Sequence, residues 1–227
     1  MEGIAEADTS DDGVLQAGDF SSWMIEMQAA LRGERDSDVP CGTCTACCTS
    51  SQFIHIGPDE TDTLANVPAE LLFPAPRMPK GHVLLGYDQR GHCPMLIDNR
   101  CSIYQHRPRT CRIYDCRVFP AAGLEPEGDD KAPIAQQVRR WRFGFASPAD
   151  ENQHAAVQAA ATFLSEKAEL ITGGGAAATT TQLAVMAIEV HDCFVRHDQQ
   201  SEQATFIDPD PDVVRIALGR RGQSRIS

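Results

Sequence analysis

Apolar residues recur at helical spacing in four stretches of the chain and alternate at strand spacing in one. Phe20, Trp23, Met24, Met27 and Leu31 fall on one face of a helix that Asp19 can cap and Gly33 can end. Val157, Ala160, Leu164, Ala168 and Ile171 form the stripe of a second helix. Ser147 is its N-cap, Pro148 its first residue and Asp150 its third, with Gly173 as the stop. Leu183, Met186, Ala187, Val190, Cys193 and Phe194 mark a third helix, and a last one runs from Asp210-Pro211 to Gly219. Trp141, Phe143 and Phe145 alternate with Arg140, Arg142 and Gly144, which predicts a half-buried strand. Shorter strands are expected at Ser51–Ile56 and His82–Tyr87, and Pro58 opens a helical turn with Asp59 and Glu60.

The stretches between carry turn residues. Gln89–His92 contains Gly91, Asp98-Asn99-Arg100 predicts a turn, and Gly123–Asp130 reads as a polar loop. Residues 1–18 hold Glu2, Glu6, Asp8, Asp11 and Asp12 with no basic residue, the composition of a disordered acidic tail. The run GGGAAATTT at 173–181 has no preceding strand and no Lys-Ser/Thr pair, so it reads as a flexible joint rather than a phosphate loop.

Composition narrows the class. Hydrophobic residues make up 42% of the 227 and charged residues 23%, ordinary for a globular protein. No apolar run approaches the roughly 20 residues that span a bilayer. The N-terminus has no basic region followed by an apolar one, so the expected location is the cytoplasm, away from any membrane. A net charge of −12 is the wrong footprint for gripping nucleic acid. In a reducing compartment nine cysteines point to metal binding or catalysis, and their odd number argues against a disulfide framework.

Eight of those cysteines fall in two groups. The first is Cys41-Gly-Thr-Cys44-Thr-Ala-Cys47-Cys48; the second places Cys93, Cys101, Cys111 and Cys116 around the expected turn at Asp98 and the stiff Pro108. Two cysteines separated by two residues can turn both sulfurs toward one ion, and small residues between them suit the tight backbone. Eight thiols match two four-sulfur sites or one polynuclear site. Thiolates select zinc, iron–sulfur clusters or Cu(I) over magnesium and calcium. The C-x2-C-x2-C run with a remote Cys93-Pro94 is similar to ferredoxin ligation, which places an iron–sulfur cluster ahead of zinc. Adjacent side chains diverge in most backbone conformations. Cys47 and Cys48 are therefore expected to serve different ions, or different irons of one cluster. Arg100, Arg107, Arg109, Arg112 and Arg117 can balance the negative charge of such a centre or form a solvated face.

The first group, Cys93-Pro94, and the stretch Cys101–Cys116 with Ile103, Tyr104, Arg107, Pro108, Arg112 and Tyr114 resemble the YkgJ-type cysteine-cluster family over residues 38–120. That resemblance implies zinc or iron chelation without a settled reaction. A related cluster occurs in flagellin lysine N-methylases, which implies that some relatives are enzymes.

The expected fold is α+β and mainly helical, with an irregular cysteine-rich metal core, short strands beside it and helices around it. Residues 19–146 would be the metal-binding domain and 147–227 a helical part packed on it. Cys193 is expected to fill an apolar helix face rather than act as a ninth ligand. His92 and His106 are weaker ligand candidates than the thiols. Tyr104 and Tyr114 are expected to pack against the cluster, and Trp23 and Trp141 to be core. The alternatives are an enzyme using the cluster region, such as a protein lysine methylase-like activity, and an exported disulfide module. No paired carboxylates, nucleophile with a base, or nucleotide loop supports the first. Protein partner and substrate are not legible.

Overall fold

The computed structural model describes residues 13–37, 39–168, 178–197 and 204–224. Its architecture is α+β with helix predominating, and the strands are short. Strand β1 (Leu15–Asp19) leads into helix α1 (Phe20–Leu31), which buries Phe20, Trp23, Met24, Met27 and Ala30 as its spacing predicts. The helix stops where Gly33 takes φ 76°. The N–H groups of Gly33 and Glu34 then return to the carbonyls of Ala30 and Ala29, a Schellman end.

A three-stranded antiparallel sheet follows, with β4 (Val83–Leu85) between β2 (Ile54–Ile56) and β3 (Leu72–Pro74). Helix α2 (Thr61–Asn66) lies between β2 and β3 in sequence. The hairpin of β5 (Leu96–Ile97) and β6 (Arg100–Cys101) turns through Asp98 and Asn99, both left-handed at φ 49° and 56°. Short helices α3 (Arg109–Ile113), α4 (Val118–Ala122) and α5 (Ala132–Val138) lead to β7 (Trp141–Gly144). Then come α6 (Pro148–Glu166), α7 (Thr180–Val190), the hairpin of β8 (Val195–His197) and β9 (Ala204–Phe206), and α8 (Pro211–Ser224).

Two apolar clusters organise these elements. The larger unites α1, α4, α5, α6, α7 and α8, with Phe20, Met24, Phe119, Ile134, Leu164 and Ile188 fully buried. The smaller holds Ile56, Val67, Leu85, Met95 and Ile103. The larger core thus draws on residues from both sides of position 147, with α1 and α4 packed against α6 and α7.

Several expectations change. Leu15–Asp19 is not tail but a strand paired in parallel with β7, with its own Ala17 buried; residues 1–12 lie outside the described residues. The helix at 148 begins as expected, with Ser147 accepting the Asp150 N–H, but ends at Glu166 rather than Gly173. Ile171 and residues 173–177 of the expected joint lie outside the described residues, while Thr179 and Gln182 form a capping box for α7. The expected loop after Gly123 is shorter, because Asp129–Lys131 form a 3₁₀ turn that runs into α5. The last helix passes Gly219 and reaches Ser224. No helix among the described residues is long and apolar enough to cross a membrane.

Candidate metal centre

The eight thiols are carried by four pieces of irregular or short structure. Gly42, at φ 55°, bends the first group, and Ala46–Thr49 close it as a 3₁₀ turn. The Ser50 hydroxyl donates to Ala46 O, and Lys131 Nζ holds the carbonyls of Ser50 and Ser51. Cys93 is brought alongside when its N–H donates to Cys48 O at 2.7 Å. Gly91, in the turn just before it, takes φ 80°, a left-handed conformation that favours glycine. The β5–β6 hairpin sets Cys101 opposite Leu96, and Cys111 rides on α3. Buried Glu60 fixes that helix to the end of β2, accepting the N–H groups of Gly57 and Arg109.

Cys116 follows α3 in a stretch pinned by a buried ion pair. Asp115 and Arg117 meet at 2.8 Å; the Trp23 indole and the Ser37 hydroxyl also donate to Asp115, and Arg117 donates to Ala17 O. Cysteines therefore reach both apolar clusters. Cys93 and Cys101 pack on the smaller, Cys116 and Ala46 on the larger. No described cysteine is fully buried, and Cys41 and Cys47 are exposed as whole residues. The expected cysteine-rich core is half-buried instead, because apolar side chains fill the interior.

The thiols influence one another in two overlapping sets. Cys41 is raised to about 11, by desolvation first and then by Cys47 and Cys44; the surrounding protein reaches its sulfur even though the residue is exposed. Cys116 is raised to about 12 by burial, with Asp115, Cys41 and Cys44 adding to the rise and the Trp141 indole N–H, 3.2 Å away, opposing it. Cys111 is raised to about 12 by burial and by Cys47, Cys93 and Cys101, against Arg107. Cys93 is raised by burial and, among other groups, by Cys101 and Cys47. Cys47 and Cys48 act on each other most directly. Cys47 is lowered to about 7, first by its contact with Cys48, whose own thiol is driven up by Cys47, burial, Cys93 and Cys101. Cys44 and Cys116 thus neighbour Cys41, while Cys93 and Cys101 act on both Cys48 and Cys111. Cys47 acts on both sets.

The expected divergence of Cys47 and Cys48 is not observed. Their sulfurs are 4.0 Å apart, within the 3₁₀ turn of Ala46–Thr49. Of the five arginines, Arg107 lowers both Cys47 and Cys111 and lies over the Tyr104 ring at 3.6 Å. Arg109 instead pairs with Asp59, Arg112 lies beside Asp36, Arg117 is consumed by Asp115, and Arg100 is exposed in its hairpin. His106 pairs with Asp62, away from the thiols, and Cys193 packs against the helical core.

Among the described residues no three His, Cys, Asp or Glu side chains converge tightly enough to hold a metal ion. The chain gathers the thiols without closing them into a coordination shell. Two buried polar atoms nevertheless fit a thiolate centre. The Tyr114 hydroxyl and Arg107 Nε have no hydrogen-bond partner among the described residues, and both groups interact electrostatically with Cys47. Donors left this way are satisfied when anionic sulfur stands beside them. Arg107 and Tyr114 were legible in the sequence as companions of the cluster; the burial of their polar atoms without a partner among the described residues was not, since it depends on the folded chain.

Residues 40–136 match the CxxCxxCC family model, described as a "putative zinc- or iron-chelating domain". The matched segment is similar to that family and contains all eight clustered cysteines. No curated protein and no solved structure matches the chain.

Proposed function

We propose that the protein is a cytoplasmic thiolate metal-binding protein. In this reading Cys41, Cys44, Cys47, Cys48, Cys93, Cys101, Cys111 and Cys116 hold zinc or iron, and the metal orders the segment that carries them. The observation that carries the reading is the gathering of thiols from four separate stretches, beside buried donors that lack a partner. A bound ion would supply the positive charge that lets clustered thiolates coexist, and Arg107 would add to it.

The choice of metal turns on the vicinal pair. Ferredoxin-like spacing favours an iron–sulfur cluster, which would add electron transfer to the structural role. The 4.0 Å between Cys47 and Cys48 Sγ favours the other choice. Metal–sulfur bonds of about 2.3 Å give a tetrahedron with an edge of about 3.8 Å, so both sulfurs suit one mononuclear zinc or iron ion. This reverses the order drawn from spacing alone.

Anaerobic purification with elemental analysis and an absorption spectrum tests both levels. Bound zinc in a colourless protein is the expected result. A brown protein absorbing near about 400 nm would restore the cluster. A metal-free protein with eight titratable thiols and an intact fold would end the proposal. Serine at Cys47 or Cys111 should lower metal content, and Cys193→Ser should leave it unchanged.

A further inference from the structure

The protein has two tryptophans, and both donate their indole N–H to adjacent residues of one short stretch. Trp23, on α1, donates to Asp115 Oδ2 at 2.9 Å. Trp141, on β7, donates to Cys116 Sγ at 3.2 Å. Trp141 is 2% exposed, so its N–H cannot turn to water and depends on this sulfur. A neutral thiol is a weak acceptor for a buried indole N–H, whereas an anionic or metal-bound sulfur is a strong one. The strand that carries Trp141 is fixed by its parallel pairing with β1, and Arg117 ties β1 back to Asp115 through Ala17 O. The donor, the acceptor and their supports form a closed circuit around Cys116.

We propose that Trp141 is a positioning residue of the metal centre, whose indole N–H orients Cys116 and holds it as a hydrogen-bonded thiolate ligand. This rests on the thiolate reading above and extends it beyond the family segment, since Trp141 lies past residue 136. The helical body thereby contributes a donor to a ligand it does not carry, and metal loading becomes visible in the emission of that ring.

Co(II) is a suitable probe, because its thiolate complexes absorb and it quenches nearby indole fluorescence. In the full chain, Trp141→Phe keeps an aromatic ring and deletes the donor. The expected result is a Co(II) affinity lower by about tenfold, the low end of the effect of removing a group that orients a ligand. The thiolate-to-cobalt charge-transfer band should also move to longer wavelength as the sulfur loses its donor. A packing role alone would lower the melting temperature and leave the band in place, and an unmoved band with unchanged affinity overturns the proposal.

Should Trp141→Phe fail to fold, Trp23→Phe leaves Trp141 as the sole emitter. Its fluorescence should fall in step with Co(II) loading, and constant emission during loading overturns the proposal by the second route. Failure of the unaltered chain to take up Co(II), zinc or iron defeats the metal reading itself. Uptake by the unaltered chain with an indifferent Trp141→Phe defeats only the role of Trp141.

Discussion

Among the described residues the helical body gathers twenty-one buried apolar residues into one cluster, whereas the region from β2 to just past β6 gathers five. The first is closed by the long helices α6 and α7, which pack directly on each other, with the short α4 against both. The second strings short strands and turns together through polar devices: Glu60 bridging β2 and α3, Lys131 clasping two carbonyls, a left-handed Asp98-Asn99 turn. Side-chain burial contributes about 1.5–3 kcal/mol for each large apolar residue. Five such residues are a thin foundation for a segment this long, and small cores of that kind are usually completed by metals or disulfides. Position along the chain therefore predicts what each region depends on.

The largest expected effect follows from removing the metal. Structural zinc can supply about 10–16 kcal/mol of apparent binding free energy. Chelation should therefore open residues 41–116 to protease while α6 and α7 persist. Limited proteolysis with peptide mapping, alongside circular dichroism, reads both halves at once. Cleavage spread evenly over the chain would erase the distinction between the two regions.

The joint between them comes next. Asp115→Ala removes the buried carboxylate that faces Arg117, and breaking a buried pair in this way costs about 3–5 kcal/mol. Because Trp23 and Ala17 share that network, urea denaturation should show the loss in the helical transition as well as in metal retention. A loss confined to metal retention would mean that the pair serves the cysteine side alone. Within the helical body, Leu164→Ala should cost about 2–5 kcal/mol of stability through the cavity it opens. Elemental analysis should find its metal content unchanged, and metal loss in this variant would show that the two regions share one stability.

The smallest effect is in the pH dependence of the metal-free chain. Cys41, Cys111 and Cys116 have folded-state pKa values raised to about 11, 12 and 12 from an ordinary 9.0, so the folded state binds their protons more tightly. Their contribution is full below pH 9 and declines as pH rises through 11 to 12. Cys47, lowered to about 7, works the other way: its contribution is present above 9 and is lost as pH falls through 7. Thermal melts of metal-free protein should accordingly fall between pH 9 and 11. Loaded protein should lack that alkaline fall, since binding releases the protons. Identical profiles with and without metal would remove these thiols from the site.

Local signals in the sequence located α1 with its Gly33 stop, the Ser147 start of α6, the β2 and β4 strands, and the turn that places Cys101. Each is decided within a few residues by periodicity, capping or turn chemistry. Elements decided at a distance were illegible. Leu15–Asp19 reads as acidic tail because its partner, β7, lies more than a hundred residues away. Helices α4 and α5 span five and seven residues, too few for a stripe to show. The cysteines announced a site by type and spacing, but the roles of Asp115, Arg117 and Trp141 could be seen only once the chain had folded around them. Arg109 looked like a companion of the cluster and is an exposed partner of Asp59.

The parallel pairing of β1 with β7 also orders events during synthesis. The apolar stripe of α1 emerges early, yet the body that covers it begins at Val118, and the strand beside it is complete only at Gly144. At about 5–20 residues per second, the ribosome leaves that stripe waiting for roughly 6–25 seconds. Cys116, the last of the eight thiols, is made within that interval and before Trp141. The nascent chain thus offers all eight clustered thiols while the helical body is still unfinished. Closure of β7 onto β1 then brings Trp141 to Cys116.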